Sequence, residues 1–137
     1  ADTPVLRSKT IQVPKITKEI KKIIKDMYET VHSAEGGGLA ATQVGLTHRL
    51  CLAAMNGKII PLINPEITWK SEETDIMQEG CLSLPNLWVN VPRAKEITLT
   101  YMDENGKNQE RRLIEWDARV IQHEVDHLDG VLIVDYQ

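Results

Sequence analysis

The chain has 137 residues, enough for one hydrophobic core of ordinary size and too few for two. Its 16 basic and 20 acidic residues leave a net charge of −4 with no basic cluster, so binding of DNA through bulk electrostatics is not expected. Two cysteines exclude a disulfide framework and fit a reducing compartment, and no apolar run approaches the roughly 20 residues that cross a bilayer.

No secretory signal is expected ahead of Thr3, so the reading is a cytoplasmic protein without a membrane partner. In chain order, Ile16, Ile20, Ile23, Ile24, Met27 and Val31 recur at helical spacing, which predicts an amphipathic helix from Thr17 to His32 with a lysine-rich outer face. Short β-type runs follow at Leu50 to Ala54, Ile59 to Ile63 and Glu66 to Trp69, and Pro61 and Pro65 suggest edges or strand ends. Ile97, Leu99 and Tyr101 alternate with polar residues, Asn105-Gly106 signals a hairpin, and Gln109 to Ile114 supplies its return strand. A second helix, with Asp117 as N-cap, carries Val120, His123, Glu124 and His127 on one face. Val131 to Val134 reads as a last strand. The expected fold is α+β, a single domain over residues 1–137 with antiparallel or mixed sheets packed around a central metal-binding helix.

That helix contains the most informative run, His123-Glu124-Val125-Asp126-His127. Two imidazoles four apart share a helix face and can hold one metal ion, and a glutamate beside them can move protons for a metal-bound water. Two partly buried structural histidines are the plain alternative, and the intervening Glu124 argues against it. Thermolysin-like zincins take a third ligand from a glutamate downstream, yet the ten residues after His127 contain no Glu. Metzincins place a third His six residues on, where this chain has Ile133. The third ligand must then lie upstream, among His32, His48, Cys51 and Cys81. Cys51 sits in an apolar run and reads as core, and His32 and His48 read as surface residues. Cys81 stands between Gly80 and Leu82-Ser83-Leu84-Pro85, in a short, shaped strand or turn from which a thiolate could reach a helix beneath.

The run Gly36-Gly37-Gly38 could be a flexible loop, or a phosphate cradle were a Lys-Ser or Lys-Thr pair to close it; none does. Arg93, after Pro92, is either a solvated residue at a strand start or a partner for Asp126 or Glu79 behind the metal ligands.

Three segments, Gly36 to Gln43, Glu79 to Ser83 and His123 to His127, resemble in order and spacing the three signature motifs of peptide deformylases, and the resemblance runs from about Pro4 to Tyr136. It implies removal of the N-formyl group from N-formylmethionine at the amino terminus of new polypeptides. It implies a metal held by Cys81, His123 and His127 with water in the fourth position, Glu124 as general base, and Gln43 with the Leu82 N–H as donors to the substrate oxygen. Such an ion brings the pKa of its water towards roughly 7, and losing one oxyanion donor typically costs about 3 kcal/mol of barrier. The thiolate suits several divalent ions; the family implies Fe2+, with Ni2+ or Co2+ as robust replacements and Zn2+ less active.

The same likeness makes Gly37 and Gly38 an edge for an extended peptide and places Trp116 and Val120, with His123, in the walls of a methionine pocket. Two departures matter. Gly37 stands where the family carries a branched aliphatic residue, which loosens one wall, and Trp88 stands where several bacterial relatives carry an arginine that grips the substrate backbone. Expected partners are N-formylmethionyl nascent chains and the ribosome near its exit tunnel, with the protein a monomer in a bacterial, phage-infected or organellar setting. The C-terminal helix common in bacterial relatives is read as absent, with stability or ribosome docking rather than activity at risk. A metallopeptidase cutting internal bonds and a non-catalytic metal-binding domain are the competing readings. The missing downstream ligand weighs against the first, and the presence of Glu124 and Gln43 against the second.

Overall fold

The structure is a computed structural model that describes residues 10–33, 38–55, 57–81 and 84–136, with side chains except those of 32, 33, 81, 84–87 and 134. Chain order is α1 (Lys18–Ser33), β1 (Gly38–Ala40), a 3-10 turn (Ala41–Val44), β2 (Leu50–Met55), β3 (Lys58–Lys70), β4 (Thr74–Cys81), β5 (Leu84–Ala94), β6 (Glu96–Met102), β7 (Asn108–Ile114), α2 (Glu115–Leu128) and a closing 3-10 turn (Ile133–Tyr136). Five strands form one sheet in the order β1-β2-β3-β6-β7, and β4 pairs with β5 alone. Every one of these ladders is antiparallel, the first of the two arrangements expected; the parallel contact among the described residues is a lone bridge between Ile11 and His48.

The five-stranded sheet is covered on both faces. Ile20, Ile24, Met27 and Val31 of α1 pack with Leu39, Leu50, Leu52 and Ile63 on one side. Ala118, Ile121, Val125 and Leu128 of α2 pack with Ala40, Cys51, Ala53, Leu62, Ile97 and Leu99 on the other. Burial on both faces explains why β2 reads as an unbroken apolar run instead of an alternating one. The fully buried Cys51 is core, as expected, and burial pushes its thiol pKa well up. The outward row of α1 carries Lys18, Lys21, Lys22 and Lys25, with Lys22 and Asp26 paired one turn apart.

Three local expectations are corrected. Pro61 and Pro65 lie within one 13-residue strand rather than dividing two. Pro61 is opposite Leu52, in the stretch before β6 begins to pair at Ile63, so a missing N–H costs little there. Pro65 falls in a register shift beside Asn64, whose φ is 54°. Asn105-Gly106 lies, as expected, in the hairpin between β6 and β7, whose five-residue loop is organised by the Asp103 carboxylate accepting the Asn105 and Lys107 N–H groups and the Gln109 amide. Helix α2 starts two residues before Asp117: Ile114 is its N-cap, and Glu115 turns β7 directly into the helix with a φ of 54° while donating its N–H to Lys95 O at 2.9 Å. Asp117 instead sits in the first turn, where its charge favours the helix dipole. Val131 to Val134 is not a strand. Leu132 and Asp135 exchange hydrogen bonds, Leu132 N–H to Asp135 Oδ2 at 3.0 Å and Asp135 N–H to Leu132 O at 2.9 Å, closing a 3-10 turn whose Leu132 and Ile133 bury against Val89 and Val91.

Candidate metal centre

Helix α2 lies between the sheet and the β4–β5 hairpin, and its 3.6-residue period brings His123 and His127 to one side. Their Nε2 atoms are 3.3 Å apart. Two nitrogens bound about 2.0–2.1 Å from one tetrahedral ion are separated by roughly 3.3–3.4 Å, so the pair has the spacing of two ligands of a shared metal. The tautomer is also set. Glu79 Oε1 accepts from His123 Nδ1 at 2.9 Å, which directs the Nε2 lone pair towards His127. His127 is 1% exposed, and burial, reinforced by His123 and Arg93, lowers its pKa to about 3 in the metal-free chain. It is therefore neutral, as a ligand must be, throughout the physiological range.

The third donor expected, Cys81, closes β4 opposite Leu84, and its side chain lies outside the described residues. Among the described residues no three metal-binding side chains come together. The residues that are described fit a divalent ion: two convergent imidazoles, one oriented by a carboxylate, at the end of a strand that finishes in a cysteine. His48 is half-buried rather than a surface residue, and His32 lies in α1 with its side chain outside the described set.

Glu124 is 4% exposed, and its Oε1 has no hydrogen-bond partner among the described residues. Burial is the chief cause of a pKa raised to about 7, with His123 and Arg93 pulling it down and Glu79 pushing it up. A buried, unsatisfied carboxylate poised near neutrality is what a general base needs and what a structural residue avoids. Gly38 of β1 lies directly over it: a Cβ there would meet Glu124 Oε2 at 2.7 Å and the Leu52 carbonyl at 2.8 Å. Gln43 projects from the 3-10 turn after β1. Its Oε1 accepts the Ala40 N–H at 2.9 Å, which makes the NH2 end of the amide the donor end.

The other expected site residues are distributed differently. Gly37 and Leu82 lie outside the described residues. Trp116, at the start of α2, is 60% exposed, while Val120, one turn later, is buried in the core beside Ala118 and Ile121. Trp88 is 63% exposed, yet its indole rests on Gly80, where a Cβ would come within 2.9 Å of the ring. The ring is thus held in place beside the residue preceding Cys81.

Behind the histidines lies a buried charge cluster. Glu79 accepts four bonds: His123 Nδ1 and Arg93 NH2 (both 2.9 Å) on Oε1, and Arg93 Nε (3.1 Å) and Arg119 NH1 on Oε2. Arg93 also donates to Asp126, which accepts from the Tyr136 hydroxyl as well, so Arg93 pairs with both carboxylates that the sequence offered it. Burial alone would raise the Glu79 pKa, but bonds from His123 and Arg93 outweigh it and hold the value to about 2. Arg119, Gln122 and Tyr136 were not singled out from sequence. A signal for Arg119 existed, because it stands four residues before His123 and seven before Asp126, on the same helical stripe.

These shifts predict an acid limit. Glu79 ionises more readily in the fold than its ordinary value of 4.5, so its contribution is present above 4.5 and is lost as pH falls towards about 2. His127 acts in the same direction, because the unfolded chain takes up a proton below 6.5 that the folded chain refuses until about 3. Denaturant unfolding of the metal-free protein should show stability falling steeply from pH 4.5 to 2, and Glu79→Gln should flatten that slope.

The profile of the family described as Polypeptide deformylase matches residues 1–137. The chain is 46% identical to a peptide deformylase of Pseudothermotoga lettingae, over 96% of this chain and 77% of that protein, and 44% identical to one of Synechocystis sp., over 96% and 73%. The crystal structure of peptide deformylase from Thermotoga maritima superposes with a TM-score of 0.94 at 42% identity, covering 97% of this chain and 90% of that one. A probable peptide deformylase from Synechococcus phage S-SSM7 superposes at 0.93 with 38% identity, covering 98% and 95%. The chain belongs to the polypeptide deformylase family.

Proposed function

We infer that this chain is a metal-dependent hydrolase that removes the formyl group from N-formylmethionine at the amino terminus of new polypeptides, releasing formate. The observation that carries the reading is the meeting of the His123 and His127 Nε2 atoms at 3.3 Å beside a buried Glu124 carboxylate roofed by Gly38. His123, His127 and Cys81 are the metal ligands of this reading. Held there, a divalent ion would supply Lewis acidity to a water molecule and to the formyl carbonyl.

The chain's own groups do the rest. Glu124 Oε1 takes a proton from the attacking water and delivers it to the departing amine nitrogen as the formyl C–N bond breaks, so the water oxygen leaves in formic acid, which ionises to formate, and its proton goes to the new amine. The Gln43 NH2, with the Leu82 N–H, donates to the formyl oxygen as charge builds there. Glu79 keeps the His123 ring in the tautomer that presents Nε2.

One thiolate and two imidazoles suit Fe2+, the physiological ion proposed here, and also accept Ni2+, Co2+ and Zn2+. Gly37 and Gly38 form the edge for the extended peptide, and Trp116, Val120 and Trp88 flank its side chains. The working unit is a monomeric single domain in the cytoplasm, acting on nascent chains at the ribosome.

The test is to incubate metal-loaded protein with a formyl-Met peptide and with its acetyl counterpart, measuring formate and new amino termini. Formate from the formyl peptide alone is the expected result. Cleavage at internal peptide bonds, or metal-loaded protein inert towards both, overturns the reading.

A further inference from the structure

We propose that Arg119 is a positioning residue of the metal centre: from α2 it clamps both strands of the β4–β5 hairpin together with the Glu79 carboxylate, and so sets the spacing between Cys81 on the hairpin and the histidines on the helix. The proposal rests on the reading of Cys81, His123 and His127 as ligands.

Arg119 is 3% exposed, and the contacts of its guanidinium are divided between elements. NH1 donates to Glu79 Oε2 and to the Val91 carbonyl at 3.0 Å; NH2 donates to the Asp75 carbonyl at 3.0 Å and to Asp75 Oδ1 at 2.9 Å. Asp75 and Glu79 belong to β4 and Val91 to β5, so one planar group on the helix holds the backbone of both hairpin strands. The fork geometry of arginine permits this, whereas a lysine ammonium cannot reach such divergent acceptors at once.

The position of the clamp gives it a consequence for the metal. Cys81 ends β4 two residues beyond Glu79, across a shift in the β4–β5 register, while Arg119 and His123 are one turn apart on α2. Glu79 therefore receives the clamp on Oε2 and orients His123 through Oε1. The hairpin has no other strand to brace it, since β4 and β5 pair only with each other among the described residues. Arg93 braces the hairpin differently, reaching from β5 to Asp126 in the later part of α2 and to Tyr136 in the closing 3-10 turn. Stability alone is a poor account of such a cluster, because buried ion pairs are commonly matched by apolar residues of similar volume. A metal site, by contrast, needs its donors held to within a few tenths of an ångström.

Co2+ is a suitable probe, because a thiolate ligand gives it a near-ultraviolet charge-transfer band. Metal-free wild type, Arg119→Met and Arg119→Lys are titrated with Co2+, and each saturated form is assayed on a formyl-Met peptide. Arg119→Met should raise the Co2+ dissociation constant about 10–100-fold and weaken the charge-transfer band at saturation, with KM for the peptide unchanged. Arg119→Lys, which keeps the charge and loses the fork, should fall between Met and wild type. A purely structural residue would lower the unfolding temperature of the metal-free protein and leave the saturated band intact, and that result overturns the proposal. Should Arg119→Met fail to fold, the lysine variant decides: weaker Co2+ binding supports the clamp, and wild-type affinity refutes it. Wild type that binds Co2+ without a thiolate band refutes the ligand reading itself, a different failure.

Discussion

Glu124→Gln is expected to reduce formate release by about 10²–10⁴-fold while leaving metal content unchanged. The amide matches the carboxylate in shape, fits beneath Gly38 and does not touch the metal-facing nitrogens, but it cannot take a proton from water. Stability should move in the opposite direction. Burial raises the Glu124 pKa from 4.5 to about 7 in the metal-free chain, so above pH 7 the native fold carries a charged carboxylate that it holds less readily than the unfolded chain does. Glutamine removes that cost, and metal-free Glu124→Gln at pH 8 should unfold at higher denaturant concentration than wild type. A stabilised and inactive variant is the signature of a side chain retained for chemistry. Kinetics at saturating metal, paired with denaturant titration, check both halves. Near-normal turnover in the glutamine variant would remove Glu124 from the reaction.

The second large effect is expected from the smallest change. Gly38→Ala adds one methyl group, with no backbone conflict from a left-handed φ, since Gly38 does not have one. The methyl has nowhere to go: Glu124 Oε2 lies 2.7 Å from its position and the Leu52 carbonyl 2.8 Å. Either β1 separates from β2 at the Gly38–Ala53 pair or the carboxylate moves. Overpacking of this kind costs about 1–3 kcal/mol of stability. A catalytic group displaced by about 1 Å can lose on the order of 10² in rate, so kcat should fall by that order while metal affinity holds. Wild-type kcat in Gly38→Ala would show that β1 yields freely and that the glycine does not fix the base.

Much of this centre is legible in the sequence because its chemistry is local there. His123, Glu124 and His127 lie within five residues, and helical periodicity alone puts them together. The role of Gly38 was not visible in the same way. Its likeness to an edge for peptide binding was readable, but its contact with Glu124 depends on β1 crossing α2, which joins residues far apart in the chain. Arg119 was missed for a related reason. It sits among Ala118, Val120 and Ile121, where an arginine looks like an exposed interruption, and only the hairpin returning over α2 supplies its acceptors. The strand expected after Val131 shows the limit of propensity: apolar β-branched residues suggested extension, and one Asp135 side chain bonded to the Leu132 N–H was enough to close a turn. The helix start moved for the opposite reason, since Asp117 was a good cap on chemical grounds but β7 had already delivered the chain into the helix at Glu115.

The proposed function requires one sulfur and two imidazole nitrogens of this chain to share an ion and leave a position for water. X-ray absorption at the cobalt edge of the Co2+-loaded protein tests it most directly. The expected result is one sulfur scatterer at about 2.3 Å and two imidazoles at about 2.0–2.1 Å, completed by a light non-protein oxygen, with the sulfur contribution lost in Cys81→Ala. A spectrum without sulfur in the wild type, or one requiring a fourth protein donor, would contradict the account.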